Sequence, residues 1–131
     1  MSRSGGQLPV QLSNPVGATQ VSGDSGNLAA AAGTATLAGA VGKTTYLTSF
    51  TVAALGATAG TVVLVTVTSG AMTLNYAYAV PTGVTVAQAP FEVTPPIPIP
   101  APATNTAIVV NLPSLGAGNT NARVTATGYQ A

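Results

Sequence analysis

The stretch "MTLNYAYAV", from Met72 to Val80, alternates without a break. Met72, Leu74, Tyr76, Tyr78 and Val80 fall on one side of an extended chain, and Thr73, Asn75, Ala77 and Ala79 on the other. Side chains along a strand switch faces at every residue, so this pattern specifies a half-buried strand and forbids a helix of one apolar stripe. It recurs in "TVVLVTVTS", where Val63, Val65 and Val67 oppose Leu64, Thr66 and Thr68, and in "ARVTATGY", where Ala122, Val124 and Ala126 oppose Arg123, Thr125 and Thr127. Candidate strands run over 28–41, 44–55, 61–69, 72–80, 84–93, 107–112 and 122–129, each bounded by Gly, Pro or Asn. The alanine run Ala29–Ala32 is too short to nucleate a helix, and Gly33 ends it. Short strands at this spacing predict an all-β, β-sandwich or jelly-roll-like single domain over 28–131, preceded by an extended N-terminal arm over 1–27.

The arm is rich in Gly, Pro, Asn and Ser, with Leu8, Val10, Leu12 and Val16 at roughly alternate positions. That spacing suits a segment lying on a neighbouring molecule. At the other end of the fold, six of the ten prolines lie between Pro90 and Pro102. Prolines at this density exclude a helix and a central strand. In "TPPIPIPAPA" the alternation of Ile97 and Ile99 with Pro98 and Pro100 predicts a two-sided ribbon along a sheet edge. Lacking N–H donors, such a ribbon protects the edge from strand addition. With no Lys or Arg beside it, the segment is a poor PxxP ligand. "LGATAGTVVLVTVT" from Leu55 and "LGAGNTNARVTAT" from Leu115 resemble each other and read as one hairpin design used twice.

Only Arg3, Asp24, Lys43, Glu92 and Arg123 are charged, in 131 residues. Globular domains devote about a quarter of their residues to charge. Polarity falls instead to Ser, Asn, Gln and twenty threonines. A surface so poor in charge resists association weakly and points to burial in an assembly. With a net charge of +1 there is no basic stripe for nucleic acid. A membrane span needs about twenty apolar residues, and the longest candidate, Leu28–Val41, is shorter and interrupted by Gly and Thr. No secretory h-region is expected, which implies synthesis in the cytoplasm.

Chemistry is sparse. There is no His and no Cys, hence no imidazole base, thiol nucleophile or usual zinc site. Asp24 and Glu92 are the only carboxylates, one assigned to the arm and one to the proline run, so a two-carboxylate glycosidase or a calcium site is not expected. "GAVGKTTY" ends like a P-loop, yet Leu37 stands where the first glycine belongs; Lys43 reads as a turn residue. The Thr-x-Thr pairs Thr34/Thr36, Thr66/Thr68 and Thr125/Thr127 read as outward-facing strand residues rather than an ice-binding array. Tyr76 and Tyr78 read as core or interface packing with hydroxyls at the rim; the alternative is a glycan-binding pair in a fibre or adhesin module.

Four features resemble small virion proteins of tailed bacteriophages: the lead-in "LPVQL…GDSGNLA", "GKTTYLTSFTV" opening the sandwich, "NTAIVVNLP" after a proline-rich crossing, and the closing "GYQ". The resemblance implies a decoration or cement protein on the capsid exterior, commonly trimeric, with terminal arms reaching adjacent shell subunits. It implies no catalytic residue and no cofactor. The expectation is therefore a non-enzymatic virion protein that binds the major capsid protein or another virion protein, forms a homo-oligomer with a trimer favoured, and contacts neither nucleic acid nor membrane. Its partner-binding residues would be Leu8, Val10, Leu12, Val16, Ile97 and Ile99.

Overall fold

The computed structural model describes residues 15–131, so the expectations for Leu8, Val10 and Leu12 lie outside the described residues. The described chain forms nine strands and no helix. They are β1 (Thr19–Asp24), β2 (Gly33–Leu37), β3 (Thr45–Ala54), β4 (Thr61–Ser69), β5 (Met72–Val80), β6 (Phe91–Val93), β7 (Ile99–Pro100), β8 (Ile108–Leu112) and β9 (Ala122–Gln130). One sheet has the order β1-β9-β3-β6, with β7 also on β3; the other has the order β2-β8-β4-β5. All the ladders are antiparallel: β4 with β5, β3 with β6 and β7, β2 with β8, and β1 with β9 form a nested set, and β4 with β8 and β3 with β9 join its members into the two sheets. The two sheets pack into a β-sandwich, as the alternation predicts.

β4 and β5 occupy their expected spans and are joined by the two-residue turn Gly70–Ala71, with Gly70 at φ 56°, a conformation that favours glycine. Their inward residues Val65, Val67, Tyr78 and Val80 are buried. Against them pack Leu47, Phe50 and Val52 of β3, Ile108, Val110 and Leu112 of β8, and Val124 and Ala126 of β9. Each fully buried Leu, Ile, Val or Phe contributes about 1.5–3 kcal/mol.

Strand β3 shows how register is corrected. Leu47 faces inward, yet so do Phe50 and Val52, which lie at the opposite parity. A regular strand would expel one set. The register against β9 shifts between Leu47 and Ser49, leaving Thr48 as the extra residue of a bulge that returns Phe50 to the core. The Thr48 hydroxyl donates to the Thr127 carbonyl at 2.9 Å, and Ser49 Oγ lies 2.9 Å from Thr127 Oγ1. Beside the bulge the backbones press together at Gly128. A Cβ there would collide with the Tyr46 carbonyl and with the Leu37 side chain, so only glycine fits.

Four sequence expectations change. The sandwich begins at Thr19 rather than Leu28, because "TQVSGD" pairs along its whole length with β9, and Leu28 N–H continues the contact by donating to the Ala122 carbonyl at 2.7 Å. Only Gly33–Leu37 of the span 28–41 and Phe91–Val93 of the span 84–93 are strands. The related Leu-Gly-Ala segments are not hairpins. Both carry the chain between sheets, from β3 to β4 and from β8 to β9, as two arches lying side by side. Thr58 N–H donates to the Ala117 carbonyl at 2.8 Å, and the buried Asn119 amide donates to the carbonyls of Leu55 at 2.9 Å and Asn121 at 3.2 Å. Finally, the proline segment does run along the edge at β3, but a bend at Pro96–Ile97 breaks the expected two-sided ribbon. Ile99 pairs opposite Leu47 and packs on the core, whereas Ile97 is 77% exposed.

Candidate interaction surface

The two outer faces of the sandwich differ in charge. On the first sheet, Asp24, Thr125, Thr51 and Glu92 form one cross-strand row over β1, β9, β3 and β6. Asp24 sits 3.4 Å from Arg123 Nε, and both side chains are about half exposed. Its distance from Glu92 is three strand spacings, about 14 Å. Paired catalytic carboxylates of glycosidases stand about 5–9.5 Å apart. Lys43 closes a turn after Ala40 and donates to Thr19 Oγ1 at 3.3 Å, so the P-loop-like segment is a turn.

On the second sheet the outer face holds no charged side chain. Its first row is Thr34, Asn111, Thr66 and Asn75, and its second is Thr36, Val109, Thr68 and Thr73. Beyond the end of β8 the rows continue as Leu64 with Ala77 and Val62 with Ala79; Leu64 is 52% exposed and Val62 64%. Topology thus sets two of the three Thr-x-Thr pairs in register on one face, and places Thr125/Thr127 on the opposite face. No local signal could reveal this, because Thr34 and Thr66 become neighbours only through β8.

The aromatic residues divide similarly. Tyr76 and Tyr78 point into the sandwich, Tyr76 edge-on to Phe50 at 5.3 Å and Tyr78 tilted on Phe91 at 5.7 Å. They form no exposed platform for a sugar. The Tyr78 hydroxyl does not reach the rim as expected: it is buried with no hydrogen-bond partner, and desolvation pushes its pKa above the ordinary tyrosine value. An aromatic pair missed by the sequence reading is Tyr46 with Tyr129, stacked at 4.7 Å on the outer face of the first sheet, where β3 and β9 register them opposite each other.

Two further features complete the surface. A shallow hollow of about 630 Å³ lies at one end of the sandwich between Asn27, Ala54, Leu55, Asn121 and Arg123. The Asn27 amide there already donates to the Thr120 carbonyl at 3.3 Å. Val16 stands 99% exposed at the tip of a turn closed by Ala18 N–H on the Pro15 carbonyl at 3.0 Å. The expected contact residues Val16, Ile97 and Ile99 are therefore dispersed, the first two exposed and Ile99 half-buried against the core. Comparisons with protein-family models, curated proteins and solved structures found no match.

Proposed function

We propose that this chain is a non-enzymatic structural protein of a tailed-bacteriophage virion, a decoration or cement protein that stabilises the head by bridging neighbouring capsid subunits. The observation that carries the reading is the outer face of the second sheet, which spans four strands without one charged group. Such a face holds a partner by area, through apolar contact and hydroxyl or amide hydrogen bonds, with no ion to desolvate. The nested pairing supports it by analogy: first strand with last and second with next-to-last resembles jelly-roll connectivity, an architecture found among viral capsid proteins. Binding only to the assembled shell raises the cost of disassembly by mass action.

Co-sedimentation with isolated heads tests this. The chain pellets with heads; Leu64→Asp and Thr66→Lys, both on the uncharged face, abolish pelleting; Thr125→Lys, on the opposite face, does not. Loss of binding in the last variant alone, or no binding by the unaltered chain, refutes the assignment. The arm's role is tested by a chain starting at Pro15. Cutting as far as Asn27 removes β1, which belongs to the sandwich.

A further inference from the structure

The four sheet edges differ in how they meet solvent. β1 carries Gly23 and the ion-paired Asp24. Opposite it, the edge at β6 and β7 bears Glu92 and is broken by Pro95, Pro96, Pro98 and Pro100. β2 is five residues long. β5 has none of these defences. It runs nine residues without proline, glycine or charge, its register against β4 never shifts, and among the described residues it pairs along its length with β4 alone. A straight, uncharged edge of this length presents a row of free N–H and C=O groups to an added strand.

We propose that β5 pairs antiparallel with β5 of a second copy of this chain, about a two-fold axis at Tyr76, joining two four-stranded sheets into one of eight strands. The strand complements itself in this register. On the outer face Asn75 meets Ala77 and Thr73 meets Ala79, a polar residue against a small one each time. On the inner face Leu74 meets Tyr78 and Met72 meets Val80, apolar against apolar. Cross-strand pairs of this kind stabilise a ladder, whereas like charges opposite each other destabilise it. Asp24, Glu92 and Arg123 all lie on the other sheet, and Lys43 lies in a turn, so no described charge approaches the joint. That neutrality also selects the occupant, since an acidic or basic peptide would find no counter-charge on β5.

Strand pairing isologous about a two-fold axis closes as a dimer. It sets the uncharged outer faces of both copies side by side on one continuous sheet, doubling the surface assigned above to shell binding without using it. A stable specific interface needs at least about 1,000 Å² in total, and a joint made of one nine-residue ladder is a small one. The dimer therefore dissociates on dilution. Two-fold closure also replaces the threefold arrangement that the resemblance implies.

Light scattering over a concentration series tests the pairing on the full chain, whose monomer mass is 12.7 kDa. The mass doubles as concentration rises. The double variant Asn75→Lys/Ala77→Lys sets like charges opposite each other at the joint, keeps its circular dichroism spectrum, and stays monomeric. Asn75→Lys/Ala77→Glu sets opposite charges there and restores the dimer. Because the chain has no cysteine, mixing Asn75→Cys with Ala77→Cys gives a single intermolecular disulfide under oxidation. A monomer at every concentration overturns the proposal, as do a trimer, a dimer indifferent to the lysine pair, or one lost when the chain starts at Pro15. None of these readouts involves a capsid, so the pairing and the shell-binding role fail separately.

Discussion

Replacing Tyr78 by phenylalanine removes one oxygen atom and nothing else from the core. The ring keeps its place against Phe91, and the aromatic cluster with Phe50 and Tyr76 is untouched. What disappears is a hydroxyl buried with no partner. Leaving a polar group buried and unsatisfied costs about 1–3 kcal/mol. Part of that is offset by the dispersion contacts the oxygen makes with its neighbours. The expected outcome is a variant more stable by about 1 kcal/mol, which for a chain of this size raises Tm by about 3–5 °C. Calorimetry at neutral pH reads the shift. A second arm of the experiment follows from the raised Tyr78 pKa. The unfolded chain releases this proton near pH 10 and the folded chain only above that, so the unfolded state binds fewer protons in the interval. Stability is unaffected below about pH 10 and falls as pH rises towards the folded value. The phenylalanine variant lacks this loss, so its advantage widens as pH rises above about 10. A variant destabilised by more than about 1 kcal/mol at neutral pH would show that the hydroxyl has a partner and refute the reasoning.

Four further outcomes are expected. Deleting Thr48 leaves Leu47, Ser49 and Phe50 in plain alternation, so β3 straightens with Phe50 and Val52 still inward and stability falls only by about 0.5–1.5 kcal/mol, the worth of the lost bond from the Thr48 hydroxyl to the Thr127 carbonyl, read by denaturant titration. Gly128→Ala drives a methyl group into the Tyr46 carbonyl and lowers stability by about 1–3 kcal/mol or more, read as a reduced denaturation midpoint at unchanged slope. Asn119→Ala strips the donor from the carbonyls of Leu55 and Asn121 between the two arches and costs about 1–3 kcal/mol, with faster amide exchange at Thr58 as a local marker. Arg123→Ala breaks only an exposed ion pair worth about 0–1 kcal/mol, so its melting temperature falls by at most about 3–5 °C, and the difference from the unaltered chain shrinks as salt is added.

The legible part of the fold is that governed by side-chain alternation. β4 and β5 stand at the bounds read from "TVVLVTVTS" and "MTLNYAYAV" because neighbours on both faces agree with the local pattern. β1 was hidden because "TQVSGD" holds Gly and Asp, residues poor in β-propensity; its ladder to β9 makes it a strand. The bulge left a trace, since "LTSF" separates two core residues by three positions, a spacing foreign to a regular strand. The Leu-Gly-Ala likeness was visible, but whether such a turn folds back within a sheet or arches to the other one depends on which strands already lie there. The surface was legible only as scarcity of charge. Its division into a face with ions and a face without them arises from strand order, as does the meeting of Tyr46 with Tyr129.

Nested pairing also dictates an order of folding. Closing a loop costs more as it lengthens, by about 0.6 kcal/mol per doubling, so the two-residue turn between β4 and β5 is the cheapest place to begin. Once that hairpin stands, each outer pair is brought near by the one inside it, and the chain zips outward from its middle. β1 comes last. Among the described strands it leaves the ribosome first, yet its partner β9 leaves last. Until β9 has been made, β1 has nowhere to dock.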